Sequence, residues 1–134
     1  MLNAMNSKKL IFTVVFLLLS HLMWAQADIF EPMKDALKAG SAKELAKNLN
    51  QSVDINLEGE VNTYSKAQAE FVLRDFFKKY PSSDFTIEHT GSSKSGLQYV
   101  IGNYKSNNDQ FNVLIRVKQA ANVYLIHEIS FVKE

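Results

Sequence analysis

The chain has 134 residues, with 15 Lys and Arg against 14 Asp and Glu, three His and no cysteine. A formal charge of +1 with no face-long basic run excludes a phosphate-tracking surface for nucleic acid. The lack of cysteine excludes disulfides, thiolate metal sites and a lipid anchor through an N-terminal Cys, so packing alone must hold the fold.

The first element reads as a leader. Lys8-Lys9 precedes the apolar run Leu10–Leu19, and the small-residue triplet Ala25-Gln26-Ala27 follows. A positive start, an apolar helical segment and small side chains for a peptidase are the build of a secretory signal peptide. A spanning helix needs about 20 apolar residues, whereas Ser20 and His21 end this run after ten. Residues 1–27 are therefore expected to be cut off, whether Met1 or Met5 is the start. The product is expected to be periplasmic or secreted, with no membrane segment left. Losing Lys8 and Lys9 and no acid leaves 13 basic and 14 acidic residues in 28–134, a stretch of 107 residues. That length suits one domain around one core.

Three helix starts share one chemistry, a side-chain acceptor at the cap with Glu or Gln three residues on: Asp28-x-x-Glu31, Ser41-x-x-Glu44 and Ser65-x-x-Gln68. The first helix carries Ile29, Met33, Ala36 and Leu37, with Pro32 in its opening turn and Gly40 as its stop. The second is short, with Leu45 and Leu49. The third has the longest stripe, Ala69, Val72, Leu73, Phe76, Phe77 and Tyr80, before Pro81 ends it.

From residue 83 the period becomes two, giving strands near 84–90, 97–106, 110–119 and 123–132, and a short one near Val53–Leu57. The loops at 91–96, 107–109 and 120–122 are brief, so the last four strands are expected to form an antiparallel meander. The expected class is α+β, N-terminal helices packed on a curved antiparallel sheet.

Ser65-Lys66-Ala67-Gln68-Ala69, Asp75-Phe76-Phe77 and His89-x-Gly91-x-Ser93-x-x-Gly96-x-x-Tyr99-x-Ile101-Gly102 resemble an exported bacterial family, domain of unknown function 4783. The resemblance covers essentially all of 28–134. It implies a cone-shaped fold like that of nuclear transport factor 2 and ketosteroid isomerase, with a pocket between helices and concave sheet. It implies no activity.

His89 with Ser92, Ser93 and Asp84 holds the ingredients of a hydrolase triad. Its serines lie in a loop between two strands and not on a strand-to-helix elbow aimed at an oxyanion. The preferred reading is structural: His89 and Ser93 brace the hairpin, Gly91 and Gly96 supply its backbone angles, and Tyr99 and Gly102 complete the motif. Glu88-His89 and His127-Glu128 offer one ligand each if strand neighbours face opposite ways. Their strands lie three spacings apart, roughly 14 Å at about 4.8 Å per step. No metal and no cofactor is read from this pattern. Asn50-Gln51-Ser52 matches the glycosylation pattern and reads as a chance match in an export product of bacterial type.

An isomerase-like pocket would draw on Tyr99, Tyr104, Tyr124, Asp109 and Glu128, and needs a carboxylate isolated among apolar groups. The competing reading pairs Glu128 with Arg116 across adjacent strands. Tyr99, Arg116 and Glu128 are the candidate ligand-binding residues. Phe111, Val113, Ile115 and Val117, with the alternate set Leu114, Leu125, Ile126 and Ile129, make the last strands apolar on both faces. A sheet whose second face is apolar is covered either by its own helices or by a partner chain, and the partners expected are a small ligand, a protein or a second copy. The leading reading is an exported, non-catalytic binding or interaction module with a small pocket. The alternative is a small isomerase- or hydrolase-like enzyme using the same pocket.

Overall fold

The computed structural model describes residues 7–16, 28–93 and 96–134. Residues 7–16 form helix α1, exposed along its length. Ser20, His21 and the Ala25-Gln26-Ala27 triplet lie outside the described residues. Among the described residues no helix is long and apolar enough to cross a membrane.

Helix α2 spans Glu31–Ala39 and buries Met33, Ala36 and Leu37. Asp28 is not its cap. The Asp28 carboxylate accepts the Phe30 N–H at 2.9 Å, an Asx turn one step before the helix, and Phe30 holds the cap position without a side-chain bond. Gly40, at φ 61°, ends α2 in the left-handed conformation, its N–H donating to Leu37 O at 3.1 Å. Helix α3 spans Ala42–Ala46, with Ser41 Oγ accepting the Glu44 N–H at 3.1 Å. The Glu44 carboxylate turns to Lys47 Nζ at 3.0 Å. Helix α4 spans Lys66–Lys79 behind the complete Ser65/Gln68 capping box.

The strands are β1 Leu49–Leu57, β2 Glu60–Ser65, β3 Asp84–Ser92, β4 Leu97–Ser106, β5 Asp109–Ala120 and β6 Val123–Lys133. They form one six-stranded sheet in the order β2-β1-β6-β5-β4-β3. The meander β3 to β6 is antiparallel as expected. Two features depart from the expectation. First, β1 begins at Leu49, the residue assigned above to the second helix, and runs parallel to β6, so the whole sheet is mixed. Second, β2 forms a hairpin with β1 through Glu58-Gly59, both at positive φ, 56° and 89°, with Asn56 Oδ1 accepting the Gly59 N–H at 2.8 Å. As an edge strand it buries no side chain, so its sequence carries no apolar alternation.

The helices cover one face of the sheet. Val113, Ile115 and Val117 of β5 and Ile126, Ile129 and Phe131 of β6 are buried there against Leu73, Phe76 and Phe77 of α4. Ile126 and Ile129 both point inward because β6 bulges at His127: Val117 pairs with Ile126, and Arg116 pairs with Glu128. The apolar set assigned above to the second face is therefore split, leaving only Leu114 and Leu125 there.

Candidate functional site

The motif stretch organises the far edge of the sheet. Gly91 on β3 faces Tyr99 on β4, and a Cβ at Gly91 would meet Tyr99 Cε1 at 2.7 Å. Gly91 is thus needed for the room it leaves to a tyrosine ring, which corrects the expectation of an unusual backbone angle. Gly102 repeats the device, since a Cβ there would meet Phe85 Cζ at 2.5 Å. Gly96, at φ 78°, does supply a left-handed turn, and the Ser93 N–H donates to Leu97 O at 2.8 Å across the loop. His89 is exposed and touches Tyr99, its Nε2 lying 3.4 Å from the hydroxyl. Asp84 pairs with Lys105 at the opposite end of β3 from Ser92, so Ser, His and Asp are strung along one strand and form no triad.

Glu88 and His127 are each the extra residue of a β-bulge, in β3 and in β6, where strict alternation of faces lapses. The two strands are separated by β4 and β5. Among the described residues no three His, Asp or Glu side chains are grouped to hold a metal ion.

Tyr99, Arg116 and Glu128 are brought together as consecutive register partners on β4, β5 and β6. Arg116 Nη1 donates to Glu128 Oε2 at 3.1 Å. The row continues to Asp54 on β1, opposite Glu128, where Thr63 Oγ1 donates to Asp54 Oδ1 at 2.5 Å. Ile115, Val117 and Ile129, which flank this row, point into the core. The row therefore lies on the helix-free face, away from the space between helices and sheet.

That space is filled by rings. Phe76 lies 4.3 Å from Phe131, 5.2 Å from Phe111 and 5.8 Å from Tyr104, centroid to centroid. Tyr104 is fully buried and donates to Tyr80 O at 2.6 Å. Burial pushes its hydroxyl up to about 12, with the Ser82 hydroxyl pulling the other way. Among the described residues the buried polar side chains are Asn103, Ser106 and Ser130, and none is a carboxylate. Asp109, half-exposed, takes the Lys133 ammonium at 3.5 Å. Tyr124 accepts from Gln98 Nε2 at 3.3 Å.

An open, largely apolar cleft of about 350 Å³ remains where α4 meets the end of β1. Leu57, Val72, Phe76 and Tyr80 form its apolar surface, with Glu58, Asp75 and Lys79 around them. The Lys79 ammonium sits 5.4 Å from the centre of the Tyr80 ring. In the sequence Val72, Phe76 and Tyr80 read only as part of the apolar stripe of the third helix, which is expected to be core. The available signal was that the stripe outruns the buried set: Val72 and Tyr80 stay half-buried.

No curated protein matches the chain. Several solved structures match it over nearly all of their own length. A DUF4783 family protein from Bacteroides uniformis shares 28% identity, with a TM-score of 0.75, covering 80% of this chain and 98% of that one. One from Bacteroides ovatus shares 31% identity, with a TM-score of 0.74, covering 78% and 94%. A putative ketosteroid isomerase from Kribbella flavida, at 17% identity and a TM-score of 0.55, covering 79% of this chain and 75% of that one, is similar in fold alone. The family model for the domain of unknown function DUF4783 matches residues 30–132, and the chain belongs to that family, on a fold of the nuclear transport factor 2 type.

Proposed function

We propose that this is an exported, non-catalytic binding module whose ligand seat is the apolar cleft of Leu57, Val72, Phe76 and Tyr80. The observation that carries the reading is the separation of surfaces. The polar row Tyr99, Arg116 and Glu128 lies on the helix-free face with arginine and glutamate paired, and the carboxylates at the edge of the cleft, Glu58 and Asp75, are exposed. The apolar surface able to desolvate a ligand lies on the other side, beside α4. Isomerase chemistry on this fold needs a carboxylate among apolar groups, with its pKa raised by burial. About 350 Å³ falls at the small end of ligand pockets, so the seat fits one ring system or one large apolar side chain of a partner protein.

The test is titration with the apolar dye anilinonaphthalene sulfonate, comparing the protein with Val72→Arg. Saturable binding that the substitution weakens at least tenfold, with an unchanged melting temperature, supports the seat. Equal binding by both proteins sinks it.

A further inference from the structure

A second cleft, of about 270 Å³, lies on the other flank of α4, between that helix and the segment 40–43. At 100° per residue, Arg74, Phe77 and Lys78 point nearly opposite to Val72, Asp75 and Lys79. The charged side chains lining this cleft are Lys43, Arg74 and Lys78, and no carboxylate lines it. Lys43 and Lys78 are exposed and join no ion pair among the described residues. Arg74 is held in place: one guanidinium nitrogen donates to Glu70 Oε2 at 3.0 Å, and the group stacks 5.3 Å from the centre of the Phe71 ring. A guanidinium carries five N–H donors in a rigid fork, so donors remain for a second acceptor.

We propose that this cleft binds a small, doubly charged oxyanion, a phosphate monoester group. Among the described residues only Glu70 offsets the three cations along this cleft, through Arg74, so a net positive charge remains that a dianion can neutralise while accepting several charge-assisted hydrogen bonds. The volume lies just below that of pockets for drug-sized molecules, which suits a headgroup-sized anion. The apolar cleft differs in kind, having Glu58 and Asp75 at its edge. The two sites are independent, and this assignment stands without the one above.

The test follows amide shifts in the full chain titrated with inorganic phosphate, with chloride at matched ionic strength as control. Phosphate is expected to bind saturably at residues 40–43 and 74–78. Lys43→Gln/Lys78→Gln is expected to weaken it at least tenfold at an unchanged melting temperature. Arg74→Lys, which keeps charge but loses the fork, is expected to weaken it less. Glycerol 3-phosphate and phosphatidate-containing vesicles then separate the sources. Soluble-ester binding that the double variant abolishes points to a small metabolite, and vesicle binding that it abolishes points to a lipid headgroup. Phosphate acting no differently from chloride, or binding the double variant as well as the parent, overturns the proposal.

Discussion

The ring of Tyr99 lies across Gly91 of the neighbouring strand, in the space a side chain at position 91 would take. This pair, and not the serines beside it, accounts for Gly91 and Tyr99 in the motif. Gly91→Ala should cost about 1–3 kcal/mol, because the ring must be pushed off the sheet. Tyr99→Ala removes the clash, so the double variant should be more stable than the summed single effects by about 0.5–3 kcal/mol. Urea midpoints of the four proteins decide, and strict additivity would refute the packing account.

Phe76 touches five other rings from the middle of α4 and is 7% exposed. Phe76→Ala should destabilise by about 3–5 kcal/mol, whereas exposed Lys78→Ala should fall within about 0.5 kcal/mol of the parent. Equal shifts in chemical denaturation would mean that the buried face of α4 has been misassigned.

Tyr104 gives a pH signature. Its hydroxyl ionises near 10 when unfolded and near 12 in the fold, so its neutral form is favoured by folding. That contribution is complete below pH 10 and is lost as pH rises towards 12, on the order of 2–3 kcal/mol. Tyr104→Phe should be less stable at neutral pH by about 1 kcal/mol, the Tyr80 carbonyl losing its donor, and should lose this alkaline step. A parent protein whose stability stays flat from pH 9 to 12 contradicts the assignment.

Export is expected with cleavage behind Ala27. Intact-mass measurement on the secreted or periplasmic fraction should find a chain starting at Asp28. A secreted product that retains Leu10–Leu19 rules this out.

Much of the fold was legible because its signals are local. The Ser41 and Ser65 caps, the Phe76-bearing stripe and the short loops of the meander all act over a few residues. What stayed hidden is either non-local or silent in composition. The parallel pairing of β1 with β6 joins residues over 70 positions apart. The edge strand β2 leaves Val61 58% exposed, and its turn uses Glu58-Gly59 where Asn-Gly is the usual signal. The bulge at His127 shifts two isoleucines to one face, which no period-two reading anticipates. The candidate site was legible only as residue types. Tyr99, Arg116 and Glu128 do meet, but the side of the sheet on which they meet depends on that same bulge and on where the helices pack.

The most direct test of the binding-module account is where a small aromatic probe contacts the protein, read as nuclear Overhauser effects between bound probe and methyl groups. The account predicts contacts to the methyls of Leu57 and Val72, beside Phe76 and Tyr80. Contacts confined to the helix-free face around Leu114, next to Tyr99, Arg116 and Glu128, would contradict it.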